Sequence, residues 1–306
     1  MRTLTVCFIT ARHEPEVFWF LESLAHQTAR PIDVIVVDFF NRPLPAHYGP
    51  LSITVTAPKP CVWQGPHKLT KEDWWAIANA RNTAICLCKT EWISFVDDRL
   101  VLMPTWLAAV QDAMAGGYAV CGPYQKRHSM TVQDGFIKNA GIITGDDNRK
   151  SYVKEHWSVP AHRLKNPYKC PGAWWYGCSN ALPLQWALNV NGYDEYCDSS
   201  GGEDYLFGTL LENNGYELRY DLRMEVVEDR SADKLGPVML RTDKGVSPDD
   251  KSHALLERIK KQKRSQHNLD VSQLRSMIRQ GHAWPIPTQP THDWFDGEAL
   301  SEMAPR

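Results

Sequence analysis

The fold is decided by one stretch, Thr90-Glu91-Trp92-Ile93-Ser94-Phe95-Val96-Asp97-Asp98. Its centre, Trp92 to Val96, is short and largely apolar, which is typical of a strand buried on both faces of a parallel sheet. This strand ends on two adjacent carboxylates. Ligands of parallel α/β sheets bind beyond the carboxyl ends of the strands. The stretch therefore predicts an α/β fold with a binding site at Asp97-Asp98.

The chain before this strand contains two more strands of the same kind. Leu4 to Thr10 is an apolar run, and residues 17–24 carry apolar side chains at helical spacing after Pro15. Asp33 to Val37 is a further apolar run, and it ends on Asp38. A strand, a helix and a strand within about 35 residues form a βαβ unit, which places the two strands parallel in one sheet.

The remaining elements follow from similar patterns. We predict a strand at Ser52–Thr56, a helix at Lys71–Cys88, a helix after Pro104, a strand at Tyr118–Gly122, a helix after Pro183, a helix at Glu203–Asn213, and strands at 216–221 and 224–228. Residues 123–176 are polar and aperiodic, so we expect irregular structure there. Residues 251–281 carry eight Lys or Arg against two acids and have a helical pattern.

The composition limits the class of protein. The chain has 306 residues, 43% of them hydrophobic, which is enough for one large domain with its own core. A net charge of −2 is not that of a general polyanion binder. The sequence contains no run of 18 apolar residues, so no transmembrane helix is predicted. The eight cysteines form no CxxC pair and are typical of reduced thiols, which favours a cytoplasmic protein.

Two features, the acid pair Asp97-Asp98 and Arg81 on the preceding helix, point to the binding of charged groups. Adjacent acids such as Asp97 and Asp98 repel each other unless a cation lies between them, and a divalent ion bound by carboxylates and phosphate oxygens is a common solution. The alternative is that one acid caps a turn and the other is solvated. Arg81 lies on the sheet-facing side of its predicted helix, where a cation needs an anion, either an internal carboxylate or a bound diphosphate.

Four motifs in order resemble family-2 glycosyltransferases of the GT-A fold. Ala80-Arg81-Asn82-Thr83-Ala84-Ile85 and the stretch 90–98 are similar to the family pattern ARNxGI…GEWIxFLDxD. Gly177-Cys178-Ser179-Asn180, followed by Val190-Asn191-Gly192-Tyr193-Asp194-Glu195, is similar to GxNxxxRRxxxxxxGGFDE. Gly201-Gly202-Glu203-Asp204 resembles the GGED element of galactosyltransferase-like members. The resemblance covers about residues 3–230.

The resemblance implies a single catalytic domain with an extension. It implies a mostly parallel sheet flanked by helices, with a nucleotide-sugar-binding half at 1–122 and an acceptor-binding half at 123–230. Residues 231–306 would form a helical, basic C-terminal extension. The expected donor is a nucleotide sugar, with UDP as the favoured nucleotide.

The resemblance assigns the donor side of the site. Thr10, Asp38, Arg81 and Asp97 would bind the donor, with Asp38 at the base or ribose and Asp97 at the ribose or sugar. Asp98 would bind Mn²⁺ or Mg²⁺ as a cofactor. Arg99 stands where many members have a third acid, so the number of contacts between protein and metal stays open.

The resemblance also assigns the acceptor side. Asp204 would be the general base and Glu203 would hold the acceptor, both in the first turn of a helix whose dipole favours anions. With one base and no covalent nucleophile, transfer would invert the anomeric carbon.

Other residues are weaker candidates. Trp174, Trp175 and Tyr176 could form an acceptor platform, because aromatic rings stack on apolar faces of sugars, or they could pack in the core. Glu228 or Asp229 could replace a histidine that galactosyltransferase-like members use as a metal ligand. A solvated loop acid is the alternative for both.

The acceptor is left open by the sequence. A saccharide or glycoconjugate is expected from the family, and DNA carrying a hydroxymethylated pyrimidine base is the alternative, since the basic segment 251–281 could lie along phosphates. That segment could also be a solvated helix or one that lies on a membrane surface. A sugar nucleotidyltransferase is disfavoured because no glycine-rich loop follows the first strand. A non-catalytic carbohydrate-binding relative is the remaining alternative.

Overall fold

The computed structural model describes residues 3–12, 14–60, 76–147, 166–198, 202–230, 262–266 and 268–285, without the side chains of 142–147 and 196. The strands in these residues are β1 (Leu4–Thr10), β2 (Ile32–Asp38), β3 (His47–Tyr48), β4 (Leu51–Thr56), β5 (Trp92–Val96), β6 (Leu100–Leu102), β7 (Ala119–Cys121), β8 (Tyr124–Gln133), β9 (Phe136–Asp147), β10 (Tyr168–Lys169), β11 (Ser179–Pro183), β12 (Leu218–Tyr220) and β13 (Val226–Asp229). The α-helices are α1 (Val17–Ala25), α2 (Ile77–Leu87), α3 (Trp106–Gly116), α4 (Leu184–Asn189), α5 (Glu203–Asn213) and α6 (Val271–Arg279). Short 3₁₀ turns lie at Gly172–Trp174 and Glu195–Cys197.

Nine of these strands form the central sheet, in the order β10-β12-β7-β11-β5-β1-β2-β4-β3. β1 is parallel to both β2 and β5, and β2 is parallel to β4. This confirms the predicted βαβ unit and the mixed α/β class. β11 is antiparallel to β5 and β7, so it joins the first part of the chain to the second within one sheet. The carboxyl ends of β1, β2 and β5 consequently lie at one edge of the sheet.

Two apolar layers cover the two faces of this sheet. Along β1, Cys7 and Ile9 face the layer formed with α2, α5 and α6, while Val6 and Phe8 face the layer formed with α1 and α3. Alternate residues of a strand point to opposite faces. Every residue of β1 and β5 is therefore buried, which is why both segments are apolar almost throughout.

The prediction of irregular structure at 123–176 is wrong for its first part. β8 and β9 form a long antiparallel hairpin, and together with β6 and β13 they make a four-stranded sheet. The turn is Asp134-Gly135, and both residues have positive φ (53° and 71°), as in a two-residue hairpin of type I′. The strands were missed because most described β8 side chains are polar and only partly buried, so no apolar run marks them.

The last described helix packs against the domain. α6 begins at Asp270, whose side chain accepts a hydrogen bond from the backbone N–H of Gln273 (2.8 Å). Val271 and Leu274 are buried against α2, and Arg275 donates to the carbonyl of Cys88 (2.7 Å). The helical prediction for 251–281 is confirmed at 271–279 and is wrong for 262–266 and 268–270, which form no helix, whereas 251–261 lie outside the described residues.

The helix predicted at Lys71–Cys88 is described from Ile77, because 61–75 lie outside the described residues. In the described part of the chain, no helix has the length and hydropathy needed to cross a bilayer.

Candidate active site

The ends of β1 and β5 are joined by a buried network around Asp98. Thr10 Oγ1 donates to one carboxylate oxygen of Asp98 (2.7 Å), and Arg12 Nε donates to the other (2.8 Å). The side chains of Arg12 and Asp98 are only 8% and 3% exposed. Burial raises the pKa of Asp98, and the Arg12 guanidinium opposes that shift. Asp98 is therefore already satisfied by the protein.

Asp38, at the end of β2, is held in a similar way by Arg42. The Arg42 guanidinium donates to both Asp38 oxygens (2.7 and 2.9 Å) and also to the Arg12 carbonyl (2.8 Å). A cavity of about 360 Å³ opens beside these groups, between the ends of β1 and β2. Its lining includes Thr10, Asp38 and Phe18. Two residues predicted to bind the donor thus border one cavity.

Arg81 joins the end of β5 to the start of α5. Its Nη1 donates to Glu203 (2.6 Å), and its Nη2 donates to Asp97 (3.3 Å). The Arg81 side chain is 1% exposed, whereas that of Asp97 is 26% exposed. Of the two partners that the sequence left open for Arg81, the structure has the internal carboxylates. Asp97 and Glu203, which are 106 residues apart in sequence, therefore bind the same guanidinium group.

Asp204 follows Glu203 in the first turn of α5. Gly202 precedes the helix with a φ of 81°, a left-handed conformation that favours glycine. The carboxylate of Asp204 accepts hydrogen bonds from the backbone N–H of Gly177 (3.1 Å) and from that of Tyr205 (2.7 Å). Asp204 is half-buried, so part of it reaches solvent.

The surroundings of Glu203 disfavour its charged form. Burial raises the pKa of Glu203 to about 7, the neighbouring Asp204 adds to that rise, and Arg81 opposes it. The two adjacent acids therefore differ in surroundings: Glu203 is enclosed, and Asp204 is open to a ligand.

The predicted metal ligands do not form a metal site. Asp98 is paired as described above, Glu228 is paired with Arg230 (2.9 Å), and Asp229 is paired with Arg99 (2.7 Å). Successive residues of a strand face opposite sides, so Glu228 and Asp229 of β13 do not converge. In the described ranges, no group of three His, Cys, Asp or Glu side chains could hold a metal ion. The set Asp98, Glu228 and Asp229 does not fit Mn²⁺ or Mg²⁺.

The aromatic residues before β11 divide between core and surface. Trp174 and Trp175 are 5% and 1% exposed, with Trp174 edge-on to Tyr220 and Trp175 beside Phe207. Both indoles are core residues, which was one of the two alternatives, and neither offers a free face to a ligand. Tyr176 is half-buried and contacts Tyr124 edge-on. The role of acceptor platform stays a prediction for Tyr176.

Sequence reasoning missed two residues of this site. Arg12 lies two residues after β1, at the same sheet edge as Asp38, and the rule that ligands bind there could have singled it out. Gly177 begins one of the four motifs, but nothing in the sequence indicates that its N–H donates to Asp204.

No protein-family model and no curated protein sequence matches the chain. Solved structures do match it. S. aureus TarS 1-349 in complex with UDP-GlcNAc has a TM-score of 0.54 at 14% identity, covering 84% of this chain and 65% of that chain. GalNAc-T7 with UDP, GalNAc and Mn²⁺ has a TM-score of 0.52 at 13% identity, covering 84% of this chain and 48% of that chain.

The chain therefore spans less than two thirds of either structure. Both are GT-A glycosyltransferases, so the GT-A-like fold expected from the sequence is confirmed. At this identity the similarity establishes the fold and not the activity.

Proposed function

We propose that this chain transfers a sugar from a nucleotide sugar, UDP-linked foremost, to a hydroxyl group of an acceptor. One observation carries the proposal: the buried Arg81 guanidinium contacts both Asp97 and Glu203. The carboxylate after β5 and the acid pair of α5 are therefore neighbours, and we expect them to border one cleft at the edge of the sheet where ligands of such folds bind.

The donor side of the cleft would bind the nucleotide. The cavity beside Thr10 and Asp38 has walls from β1 and β2 and a volume of about 360 Å³, which is in the range of small-molecule sites. Asp38, oriented by Arg42, would accept hydrogen bonds from the base or ribose. Asp97 is the more exposed of the central acid pair, in keeping with a role at the ribose or sugar.

Asp204 is proposed as the general base. Asp204 would remove the proton of the acceptor hydroxyl while the hydroxyl oxygen bonds to the anomeric carbon. The bond from that carbon to the diphosphate breaks in the same step, so the nucleotide leaves and the configuration inverts. A positioned base of this kind contributes about 10²–10⁴-fold to the rate. Glu203 would hold the acceptor from its enclosed position.

Metal dependence is a separate part of the proposal. GalNAc-T7 was crystallised with Mn²⁺, and Mg²⁺ or Mn²⁺ remains the predicted cofactor here. The predicted ligand set does not fit a metal, so no step above depends on one. Calorimetry of UDP binding with Mn²⁺ and with EDTA would test the prediction, and equal affinity in both buffers would contradict it.

A saccharide or glycoconjugate is the proposed acceptor. The support for DNA as acceptor is the basic segment 251–281. The described helix of this segment lies at the end of β5 opposite to the proposed cleft. Arg275 binds the carbonyl of Cys88, which precedes β5, whereas Asp97 follows β5 at the opposite end of the strand. The alternative of a non-catalytic carbohydrate-binding protein predicts that the chain binds a sugar ligand but transfers no sugar.

The deciding experiment is a screen of nucleotide sugars. The full-length protein would be incubated with each donor, with saccharide acceptors and with hydroxymethylated DNA, and nucleotide release and product formation would be measured. We expect release of UDP and a product of inverted anomeric configuration by NMR. Binding of UDP-sugar with no release or transfer under any condition would contradict the proposed function.

A further inference from the structure

Gly177 lies directly against the guanidinium group of Arg81. A Cβ added at Gly177 would lie 1.9 Å from Nη2 and 2.5 Å from Cζ of Arg81, far inside any real contact distance. Gly177 has no positive φ, so its backbone conformation is open to other residues. The space beside Arg81, and not backbone strain, is what requires a glycine here.

The same glycine also holds the proposed base. Its backbone N–H donates to Asp204 (3.1 Å), and this bond fixes one oxygen of the carboxylate. The other oxygen accepts from the N–H of Tyr205. Gly177 thus leaves space for the Arg81 guanidinium by lacking a Cβ, and its backbone N–H binds the proposed base.

The orientation of Arg81 is fixed by three different partners. Glu203 and Asp97 bind its two terminal nitrogens, and the ring of Tyr193 lies 5.0 Å from its Cζ. A planar guanidinium held in this way cannot move without breaking contacts to both acids. Its 1% exposure also excludes a direct contact with a bound nucleotide in this arrangement.

From these contacts we infer that Arg81 and Gly177 are positioning residues, which set the distance and angle between Asp204 and Asp97. The inference rests on the proposed function. Arg81 acts through Asp97 and Glu203, and Gly177 acts through Asp204 and the space it leaves for Arg81. The donor and acceptor sides of the cleft are thus held in register by one guanidinium and one glycine.

The charges around Glu203 support this arrangement. Its carboxyl group is faced by Arg81, which favours ionisation, and by Asp204, which opposes it. Tyr193 and the Cys197 thiol also face this group. Displacing the guanidinium removes the favourable contribution, so the pKa of Glu203 must rise above its value of about 7.

Gly177→Ala tests the inference most directly. The added methyl group pushes the guanidinium away, so we expect kcat for transfer to fall by on the order of 10²-fold, with a smaller change in donor KM, because small misplacements of reacting groups have effects of this size. Gly116→Ala is the matched control, since its Cβ also meets a side chain, the ring of Tyr118 (2.3 Å), far from the site.

A second variant covers the case in which Gly177→Ala does not fold. Arg81→Lys keeps the charge and leaves more space, but a single ammonium group lacks the rigid fork whose two terminal nitrogens bind Glu203 and Asp97 separately. We expect a folded protein whose kcat falls by about 10-fold or more. Wild-type kcat in folded Gly177→Ala or in Arg81→Lys overturns the inference.

Carboxyl NMR separates this inference from the proposed function. The titration midpoint of Glu203 is measured without any substrate and should be higher in Gly177→Ala than in wild type. If Gly177→Ala does not fold, the same measurement is made on Arg81→Lys, where the midpoint should also rise. Absence of turnover in the wild-type protein contradicts the proposed function only. An unchanged Glu203 midpoint in the folded variant contradicts the positioning role only.

Discussion

The proposed donor side and the proposed acceptor side of the site hold their carboxylates differently. On the donor side, both oxygens of Asp98 are occupied, by Thr10 and Arg12, and Asp98 is almost fully buried. On the acceptor side, Asp204 accepts hydrogen bonds from two backbone N–H groups of the described residues and is half-buried.

On the proposed function, this difference distinguishes an acid that supports the fold from one that takes part in the reaction. An acid whose oxygens are both bonded to buried protein groups stabilises the fold, and its loss leaves a buried cation without a partner. An acid held by backbone N–H groups has an oriented carboxylate with lone pairs to spare for a substrate proton. Substitutions on the two sides should therefore affect different measurements.

The largest expected effect is at Asp204. Asp204→Asn should lower transfer by about 10²–10⁴-fold, because an amide cannot accept the proton of the acceptor. Initial rates of UDP release and UDP binding by calorimetry would be compared with wild type. Nucleotide binding should remain near the wild-type value, and a loss of donor binding would place Asp204 on the donor side instead.

Asp98→Asn should have the next largest effect, and on stability. It leaves the Arg12 guanidinium buried without its charged partner, a change that costs about 3–5 kcal/mol of unfolding free energy. Urea denaturation followed by tryptophan fluorescence would measure it. Asp97→Asn is the control: Arg81 keeps Glu203, so its loss should be clearly smaller. Equal losses in the two variants would remove the distinction between the neighbouring acids.

Thr10→Val should give a smaller loss of stability. The Thr10 hydroxyl donates to Asp98 and accepts from the backbone N–H of Arg12 (3.1 Å), and an isosteric methyl does neither. Leaving those buried groups unpaired costs about 1–3 kcal/mol. Thr10→Ser retains the hydroxyl and should stay close to wild type in the same denaturation. A Val variant as stable as the Ser variant would show that the hydroxyl does not support the network.

The smallest effect is expected from the basic helix. Substituting Arg275 and Arg279 of α6 by alanine should leave saccharide transfer within about 2-fold, because α6 lies at the end of β5 remote from the cleft, where surface changes have little effect. Rates and salt-dependent DNA binding would both be measured. A large loss of transfer to DNA acceptors would favour the alternative substrate.

Local pattern predicted much of the fold. The bounds Trp92–Val96 and Glu203–Asn213 match the prediction residue for residue, because burial on both faces and helical spacing are written into short windows. The hairpin of β8 and β9 was missed because its described side chains are largely polar, although Asp134-Gly135 is a known turn signal.

The site was predictable in its residue types and not in its contacts. Asp38, Asp97 and Asp98 were found because strand ends carry them. The pairing of Asp98 with Arg12 joins residues 86 positions apart, and that of Arg81 with Glu203 joins residues 122 positions apart, beyond the range of any local pattern. The packing of Gly177 against Arg81 is of the same long-range kind.

The docking of α6 has a consequence for synthesis of the protein. Asn191 binds both the Ser265 carbonyl and the Val271 N–H, and α6 covers the outer surface of α2, the helix that carries Arg81. During translation, α2 emerges almost two hundred residues before this cover exists. A nascent chain can pair its strands early, but the helix that carries Arg81 can be covered by α6 only after residue 279 has been synthesised.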